Sequence, residues 1–224
     1  MGQKINPTNW RLKINETWRS RWFGRGSFAS MLHEDLNIRK YLMKDFRTAA
    51  ISKVEIDRDA NKITVGIKTA RPGLIIGKGG VGASKIKEGI ERLIHGSRVK
   101  INIEEIKNPD ADAGVIAQNI VLQIEKRIPY RRVMKQAIDK AEQAGVKGIK
   151  VQISGRLNGA EIARTEKATF GLVPLSTIKS QIDFAYLPAF TNYGVIGVKV
   201  WVYVCKGEIK YDIPNRMDAN NLGR

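Results

Sequence analysis

The stretch that decides the fold reads Ala70-Arg71-Pro72-Gly73-Leu74-Ile75-Ile76-Gly77-Lys78-Gly79-Gly80-Val81. A short apolar turn leads into a Gly-x-x-Gly tetrad, and a helical pattern follows at once. Between two helices, such a tetrad lets the backbone come close to a sugar-phosphate chain, because no Cβ stands in the way. The amides that open the next helix then point at the phosphates, and the lysine adds a mobile charge. The stretch therefore predicts a phosphate clamp formed by Gly77, Lys78, Gly79 and Gly80.

Two nucleotide-binding motifs compete for the same glycines, as does a plain turn. Gly77, Gly79 and Gly82 fit the dinucleotide fingerprint Gly-x-Gly-x-x-Gly, but that motif needs a full strand directly before it. Pro72 leaves only a short apolar segment there, which is too short for a strand. A Walker loop is one residue short between Gly73 and Lys78, and a glycine stands where Ser or Thr would hold magnesium.

The pattern around the tetrad decides between these alternatives. Apolar residues recur at helical spacing over 38–50 and again over 86–94. Polar and apolar residues alternate over 53–56 and 63–68, which are close enough to form a hairpin, and again over 99–103. Pro72 can begin a short helix that ends at the tetrad. This order of elements is that of a type II KH domain, a three-stranded sheet with helices on one face, whose clamp grips about four nucleotides of single strand.

The composition favours a polyanionic partner. The 224 residues include 39 Lys and Arg against 22 Asp and Glu, a net charge of +17 with a pI near 10.1. Each phosphate that a cation neutralises releases counterions, so a folded chain this basic is expected to bind nucleic acid. The alternative is a well-solvated surface, but solubility requires less charge than this.

Several classes of site are not predicted. Cys205 is the only cysteine, which excludes an intramolecular disulfide and a thiolate metal centre, and its apolar neighbours predict a small buried hydrophobe. His33 and His95 are isolated in sequence and receive no catalytic or metal role. The apolar runs are shorter than the ~18 residues of a spanning helix, and no apolar leader is recognised. We expect a soluble, intracellular protein that is not an enzyme and has no cofactor, membrane partner or small-molecule substrate.

Residues 1–37 form an arm without clear periodicity. Its cations and aromatic residues are interleaved: Lys4, Trp10, Arg11, Lys13, Trp18, Arg19, Arg21, Trp22, Phe23, Arg25 and Phe28. Such a segment suits phosphate contacts combined with stacking on bases or on a neighbouring protein. The alternative is an arm that folds back on its own domain, with the aromatic side chains as anchors.

A polar break at 108–112 separates the KH domain, 38–108, from a second α+β domain, 109–208, which a polar tail follows at 209–224. Apolar spacing predicts helices over 116–128 and 134–141. Strands are predicted over 149–153, 172–177, 181–186 and 195–204, with Asn158 capping a short helix that holds Glu161 and Arg164. We expect two helices on one face of a mostly antiparallel sheet.

The second of these helices carries a stripe of like charge at Arg131, Arg132 and Lys135. Like charges one turn apart cost a few tenths of a kcal/mol per pair, so a nearby polyanion would explain the stripe. The alternative is a solvated face on which Asp139 relieves the charge of Lys135.

Several blocks of this sequence resemble the family of bacterial-type ribosomal small-subunit protein three. They are Met1-Gly2-Gln3-Lys4 with Asn6-Pro7, Arg11-Leu12, Trp22-Phe23, Ala70-Arg71-Pro72-Gly73, Ile76-Gly77-Lys78, Ile101-Asn102-Ile103, Arg131-Arg132, Lys147-Gly148-Ile149-Lys150-Val151, Ser154-Gly155-Arg156-Leu157, Gly159-Ala160-Glu161-Ile162-Ala163-Arg164 and Tyr193-Gly194-Val195-Ile196-Gly197-Val198-Lys199-Val200-Trp201. The resemblance runs from the first residue to about Glu208, and the last two blocks are the most specific. Tyr203 to Cys205 lengthen the last strand relative to the family pattern, and the tail lacks the basic run of many members, so no function is assigned to the tail.

The resemblance implies a structural protein of the small-subunit head that binds rRNA and borders the entrance through which mRNA reaches the decoding site. Neighbouring head proteins would be its protein partners, in the cytoplasm or in an organelle. In this family the helix that matches Arg131, Arg132 and Lys135 faces the mRNA path and is linked to the opening of mRNA secondary structure. The same match implies RNA contacts at further cations: Lys4, Arg11, Arg71, Arg156 and Arg164.

Two other functions compete with this one. A free KH-domain protein in RNA processing or ribosome assembly would share the clamp, but a basic aromatic arm is more useful inside a larger particle. A nuclease or a dinucleotide-dependent enzyme would need a Ser-His-Asp set, a metal cluster, clustered carboxylates or an intact fingerprint, and none emerges from the sequence.

Overall fold

The computed structural model describes residues 4–24, 26–59, 62–94 and 98–204, apart from the Lys78 side chain. Two four-stranded sheets follow one another along the chain, and each buries one face against helices. The helices are α1 Pro7–Trp10, α2 Phe28–Asp45, α3 Pro72–Ile76, α4 Val81–Leu93, α5 Ala113–Glu125 and α6 Tyr130–Gln143. The strands are β1 Ser20–Arg21, β2 Ile51–Arg58, β3 Lys62–Thr69, β4 Arg98–Glu105, β5 Gly148–Gly155, β6 Arg164–Gly171, β7 Ile182–Thr191 and β8 Gly194–Tyr203.

The first sheet has the order β1-β2-β3-β4, with β2 antiparallel to β3 and β3 parallel to β4. Strict alternation in β3 turns Ile63, Val65 and Ile67 into the core, where side chains of α2, α3 and α4 meet them. The order of helices and strands is that of the predicted KH domain, and the α+β class is confirmed. The two-residue β1 adds a fourth strand, parallel to β2, to the three that the sequence predicted.

The helix predicted from Ile38 begins ten residues earlier, at Phe28. Its first half was missed because the residue that faces inward there is Asp35, not a hydrophobe. Asp35 is fully buried and forms an ion pair with Arg58, while Ser20 Oγ and Trp22 Nε1 each donate a hydrogen bond of 2.9 Å to it. This carboxylate therefore attaches the arm to the first sheet.

The second sheet is antiparallel throughout, in the order β6-β5-β8-β7, with α5 and α6 on one face. The predicted strands at 149–153, 181–186 and 195–204 are confirmed as β5, β7 and β8. Two predictions were wrong. Asn158 has a φ of 56° inside a single 3₁₀ turn, so it caps no helix, and the segment 172–177 forms no strand.

The missing strand lies earlier, as β6 at Arg164–Gly171. It is an edge strand whose inward positions include Glu166 as well as Ala168 and Phe170, so its apolar alternation is weak. The predicted tail and Cys205 lie outside the described residues.

The arm folds back on the protein, as the second interpretation predicted, but its aromatic side chains are not the main anchors, because Trp10, Trp18, Phe23 and Phe28 are exposed. Arg11 is 1 % exposed, and its guanidinium donates to five backbone carbonyls: Ser180 at 2.7 Å, Thr177 at 2.9 Å, Pro7 and Leu175 at 3.1 Å and Pro174 at 3.4 Å. Asn15 donates to two more carbonyls of the same loop. Arg11, for which the sequence predicted an RNA contact, is thus buried with its guanidinium donating to the chain itself, so its position gives that prediction no support.

The arm and both sheets meet at Lys53 on β2. Its ammonium lies 3.0 Å from Asp183 of β7 and 3.8 Å from Glu16 of the arm. Burial lowers the pKa of Lys53, but the two carboxylates outweigh burial and raise it above its usual value. The charged form of this lysine therefore joins the three parts of the chain.

A second contact of the same junction begins α5. Asp112 accepts hydrogen bonds from Ser52 of β2 and from the amides of Gly114 and Val115, so one carboxylate caps the helix and binds the neighbouring domain. Burial and then the charge of Asp183 raise the pKa of Asp112.

In the described ranges, no helix is long and apolar enough to cross a membrane.

Replacing Arg11 tests how strongly the arm is held. Arg11→Ala leaves carbonyls of the 174–180 loop without their donors, and hydrogen bonds to a charged group contribute ~1.5–3 kcal/mol each. We expect the free energy of unfolding to fall by about 3 kcal/mol, measured by urea denaturation, together with faster cleavage of the arm by a protease. Arg11→Lys should be intermediate, since an ammonium keeps the charge but lacks the planar fork. Arg19→Ala, at an exposed site of the arm, is the control; equal stability of the Arg11→Ala and Arg19→Ala proteins would contradict this account.

Candidate nucleic-acid interface

The predicted clamp lies between α3 and α4. Gly77 has φ 68° and ψ 177°, and a single 3₁₀ turn over Lys78–Gly80 follows, with Gly79 at φ 64° and Gly80 at φ 80°. Three of the four tetrad residues, all but the lysine, have positive φ. Only glycine adopts this conformation at low cost. A Cβ at Gly79 or Gly80 would meet nothing within 4 Å, so this backbone is open to a ligand.

The first turn of α4 faces the same opening. No side chain caps this helix, and its first turn holds no acidic residue. The first amides of a helix have no partner within it and carry the positive end of its dipole. The tetrad and these amides together present backbone donors on an open surface, and their binding of a phosphate stays a prediction.

Gly82 was not predicted to matter, yet it sets the spacing of the clamp. A Cβ at this position would lie 2.9 Å from the carbonyl oxygen of Ile76 and closer still to that of Ile75. Only a glycine lets α4 approach the end of α3 this closely. The sequence contained one signal for this role, because Gly82 is the third glycine of the dinucleotide fingerprint that was rejected above.

The stripe of like charge lies at the start of α6. Arg131, Arg132 and Lys135 are exposed, while Val133 and Met134 between them are buried against the second sheet. Arg131 Nε donates to Tyr130 Oη at 3.2 Å, and its guanidinium carbon lies 5.9 Å from the centre of that ring. This packing fixes the direction of one cation.

The electrostatics of this helix are unfavourable without an anion. Pro129 provides no side-chain cap, and the first turn has two arginines and no acidic residue, where the helix dipole already places positive charge. Within the described part of the chain, no carboxylate lies within 4.0 Å of the three cations, and Asp139 is no exception. The structure therefore contains no ion pair between Asp139 and Lys135, the contact through which the alternative interpretation would offset the charge of the lysine.

A recess of about 370 Å³ adjoins the start of α6. It is lined by aromatic and cationic residues, among them Arg127, Tyr130, Arg156, Phe190 and Tyr193. Arg156 Nε donates to Ala160 O at 2.9 Å, which holds the guanidinium at the rim. The structure thus brings Arg156 into one recess with Tyr130, whose ring Arg131 contacts, and it adds Arg127, which sequence reasoning missed because it lies in the turn before Pro129.

The other predicted RNA contacts are dispersed. Arg71 is exposed at the cap of α3, on the clamp side of the first sheet. Arg164 is exposed at the start of β6, opposite Gly155, and Lys4 is exposed near Lys150 of the second sheet. The clamp and the stripe belong to different sheets, so they form separate surfaces.

Sequence comparisons agree with both halves of this architecture. Residues 37–111 match the KH domain family, and residues 120–202 match the family described as Ribosomal protein S3, C-terminal domain. "Small ribosomal subunit protein uS3" of Exiguobacterium sibiricum is 47% identical over 99% of both chains, and that of Ligilactobacillus salivarius is 48% identical over the whole of both. "Small ribosomal subunit protein uS3c" of Guillardia theta is 49% identical over 91% of this chain and 95% of the relative. The chain belongs to the uS3 family.

Membership in the uS3 family confirms the resemblance drawn from the sequence blocks. The relatives are ribosomal proteins rather than enzymes. The chain is thus a structural protein of the small ribosomal subunit with a KH domain for RNA binding, and its role lies in translation. The particular residues that contact RNA remain predictions.

Gly82→Ala tests the packing that shapes the clamp of this uS3 protein. The added methyl group meets backbone carbonyls, which cannot move independently, so we expect the free energy of unfolding to fall by about 2 kcal/mol in thermal or urea denaturation. Gly73→Ala is the matched control, because a Cβ on that neighbouring helix meets nothing within 4 Å and Ala is the better helix former. Equal stability of the two variants would show that α3 and α4 are not in close contact at Gly82.

Proposed function

We propose that α6 grips mRNA where it enters the small subunit and assists the opening of mRNA secondary structure during translation. One observation carries this proposal. The helix presents Arg131, Arg132 and Lys135 to solvent at its positive end, with no carboxylate within 4.0 Å of them in the described ranges. Such an arrangement gains most from a polyanion. The resemblance to the uS3 family points to the mRNA path as the source of that polyanion.

The chemistry suits a surface along which every message passes. Contacts from cations to phosphates fix a strand without reading its bases, so the grip does not depend on sequence. The contacts are individually weak and exposed, which lets the strand advance from one to the next. No nucleotide hydrolysis by this chain is required, since translocation supplies the pull while the cations hold the strand.

The clamp and the remaining cations are proposed to bind RNA as well. Gly77 to Gly80 offer open backbone and helix amides to about four nucleotides. Arg71, Arg156, Arg164 and Lys4 are proposed contacts to rRNA that hold the protein in the subunit head beside neighbouring head proteins. The subunit is that of a bacterial-type ribosome, in the cytoplasm or in an organelle.

Removing the stripe tests the role of α6. The variant Arg131→Ala/Arg132→Ala/Lys135→Ala loses three exposed charge contacts of about 0.5 kcal/mol each. We expect the state in which an mRNA hairpin is opened at the entrance to be populated about tenfold less. This would be measured as longer pauses at mRNA hairpins in single-ribosome translation. Speed on unstructured mRNA and incorporation into subunits should not change.

The control for charge is Lys40→Ala/Lys44→Ala/Lys107→Ala, which removes three exposed lysines outside α6. Hairpin pauses that are the same in both triple variants would reject the proposed role of the stripe. Pauses that lengthen only in the stripe variant would support it.

A charge reversal tests the clamp. Lys78→Asp/Gly79→Asp repels phosphate without filling packed space, since a Cβ at Gly79 meets nothing within 4 Å and Asp tolerates positive φ better than most residues. We expect single-stranded RNA to bind at least tenfold more weakly in fluorescence anisotropy, while the protein stays folded with a melting temperature slightly lowered by the strained φ at position 79. Lys78→Gln/Gly79→Asn removes the charge without the repulsion and should be intermediate. A folded double-Asp variant that binds RNA like the original protein would exclude the clamp.

A further inference from the structure

The face of the second sheet that points away from α5 and α6 has an unusual composition, and we call it the outer face. The strand register sets Lys150 against Trp201, and Trp201 against Phe184 on the next strand. The next row along the strands joins Lys167, Gln152, Lys199 and Tyr186 across all four strands. A solvent-exposed sheet face normally mixes charges of both signs, whereas these rows hold only lysine, amide, threonine and aromatic residues.

The lysines of the outer face lie against aromatic rings. Lys150 Nζ is 5.2 Å from the centre of the Trp201 ring, and Lys199 Nζ is 5.7 Å from that of Tyr186. At the end of β8, Lys147 Nζ lies 6.0 Å from the ring of Tyr203. Each of these ammonium groups thus has a cation–π contact with a ring of a neighbouring strand.

No carboxylate of the four strands balances this charge. Glu166 and Asp183 are the acidic residues of β6 and β7, and their registers place both on the opposite face, where Asp183 accepts from the amide of Ala113. Burial, and then the charges of Lys4 and Lys167, lower the pKa of Lys150. Lys4 and Lys167 thus repel Lys150 on one surface, and an anion would relieve that repulsion.

A recess at one end of the outer face offers room for a base. Its volume is about 940 Å³, and the arm closes one side with Lys4 and Trp10 while the sheet provides Tyr186, Lys199 and Trp201. Trp201 is only 8 % exposed and forms the floor, but Tyr186 is 55 % and Trp10 is 45 % exposed. Two accessible aromatic rings beside lysines are the elements with which proteins hold single-stranded nucleic acid.

We propose that the outer face binds an unpaired segment of rRNA, with phosphates on Lys150, Lys167 and Lys199 and a base stacked on Tyr186 in the recess. Four-stranded sheets with helices on one face and aromatic residues on the other bind single-stranded RNA in this manner in other proteins. An acidic protein segment would satisfy the lysines but would leave the two exposed rings without a stacking partner. The mRNA is not the occupant, because α6 lies on the opposite side of this sheet.

Photocrosslinking in assembled ribosomes identifies the occupant. Tyr186 is replaced by the photoreactive amino acid p-benzoylphenylalanine, which preserves an aromatic ring at the recess, and the subunits are irradiated with and without bound mRNA. We expect crosslinks to rRNA in both samples, at nucleotides that are unpaired. Crosslinks to a ribosomal protein, crosslinks that require mRNA, or no crosslink in intact subunits would each overturn the proposal.

Binding by the purified full chain tests the chemistry of the face independently of α6. The probe is a short, unstructured, fluorescently labelled RNA, and the chain carries Lys78→Asp/Gly79→Asp and Arg131→Ala/Arg132→Ala/Lys135→Ala so that neither the clamp nor α6 contributes. Adding Tyr186→Ala should weaken binding about tenfold through the loss of one stacked base, whereas Tyr186→Phe should not. Equal affinities of these two variants would exclude stacking.

The lysines are tested by the salt dependence of the same binding. Lys150→Ala/Lys199→Ala should reduce the slope of log affinity against log salt by about 1.4, since each phosphate contact of a single strand contributes about 0.7. Lys40→Ala/Lys44→Ala removes the same charge from α2 and should leave the slope unchanged. A slope that falls equally in both variants would mean that only the overall charge matters, which contradicts a specific face.

Discussion

The buried guanidinium of Arg11 is the contact on which the arrangement of the two domains depends. Removing such a group from water is costly, and burial lowers its pKa. Five carbonyls, four of them in the 174–180 loop, compensate by accepting its hydrogen bonds. With the arm fixed there, Glu16 reaches Lys53 and β1 pairs with β2. An otherwise irregular segment therefore connects both sheets.

The charges of the protein fall into two groups with different roles. Several arginines and lysines are paired with carboxylates inside the fold, as Arg58 is with Asp35, Arg47 with Glu125 and Lys53 with Asp183. These pairs hold the arm and the domains together. Arg131, Arg132 and Lys135 of α6 and Lys150, Lys167 and Lys199 of the outer face have no carboxylate within 4.0 Å among the described residues. This difference separates the structural cations from those available to RNA.

Much of the architecture could be predicted because it depends on local periodicity. The hairpin of β2 and β3, the glycine clamp and the long alternation of β8 are all visible in the sequence, as is the stripe on α6. The first half of α2 was hidden because its inward residue is a buried aspartate, and β6 because an edge strand needs little apolar surface. The burial of Arg11 could not be predicted, since four of its five partners lie more than 160 residues away in sequence, and local spacing carries no record of them.

The outer face was hidden for a related reason. Lys150 and Lys199 occupy outward positions of alternating strands, where lysine is ordinary and predicts only solvent. Their position beside aromatic rings follows only from the register between the strands, which places Trp201 and Tyr186 opposite them. Cross-strand pairs of this kind are set by how two strands align, and the sequence of either strand alone does not contain that alignment.

The packing of α6 on β5 and β6 also has a mechanical consequence. An RNA strand drawn past Arg131 and Arg132 would pull on a helix whose buried side, with Val133 and Met134, packs on the edge strand β6 and its neighbour β5. Hydrogen bonds between antiparallel strands run perpendicular to the chain, so tension directed along the strands would load many of them at once instead of opening them singly. The second domain would therefore resist such a pull as one rigid unit. The force would be shared among the strands of the sheet before it reached the rest of the particle.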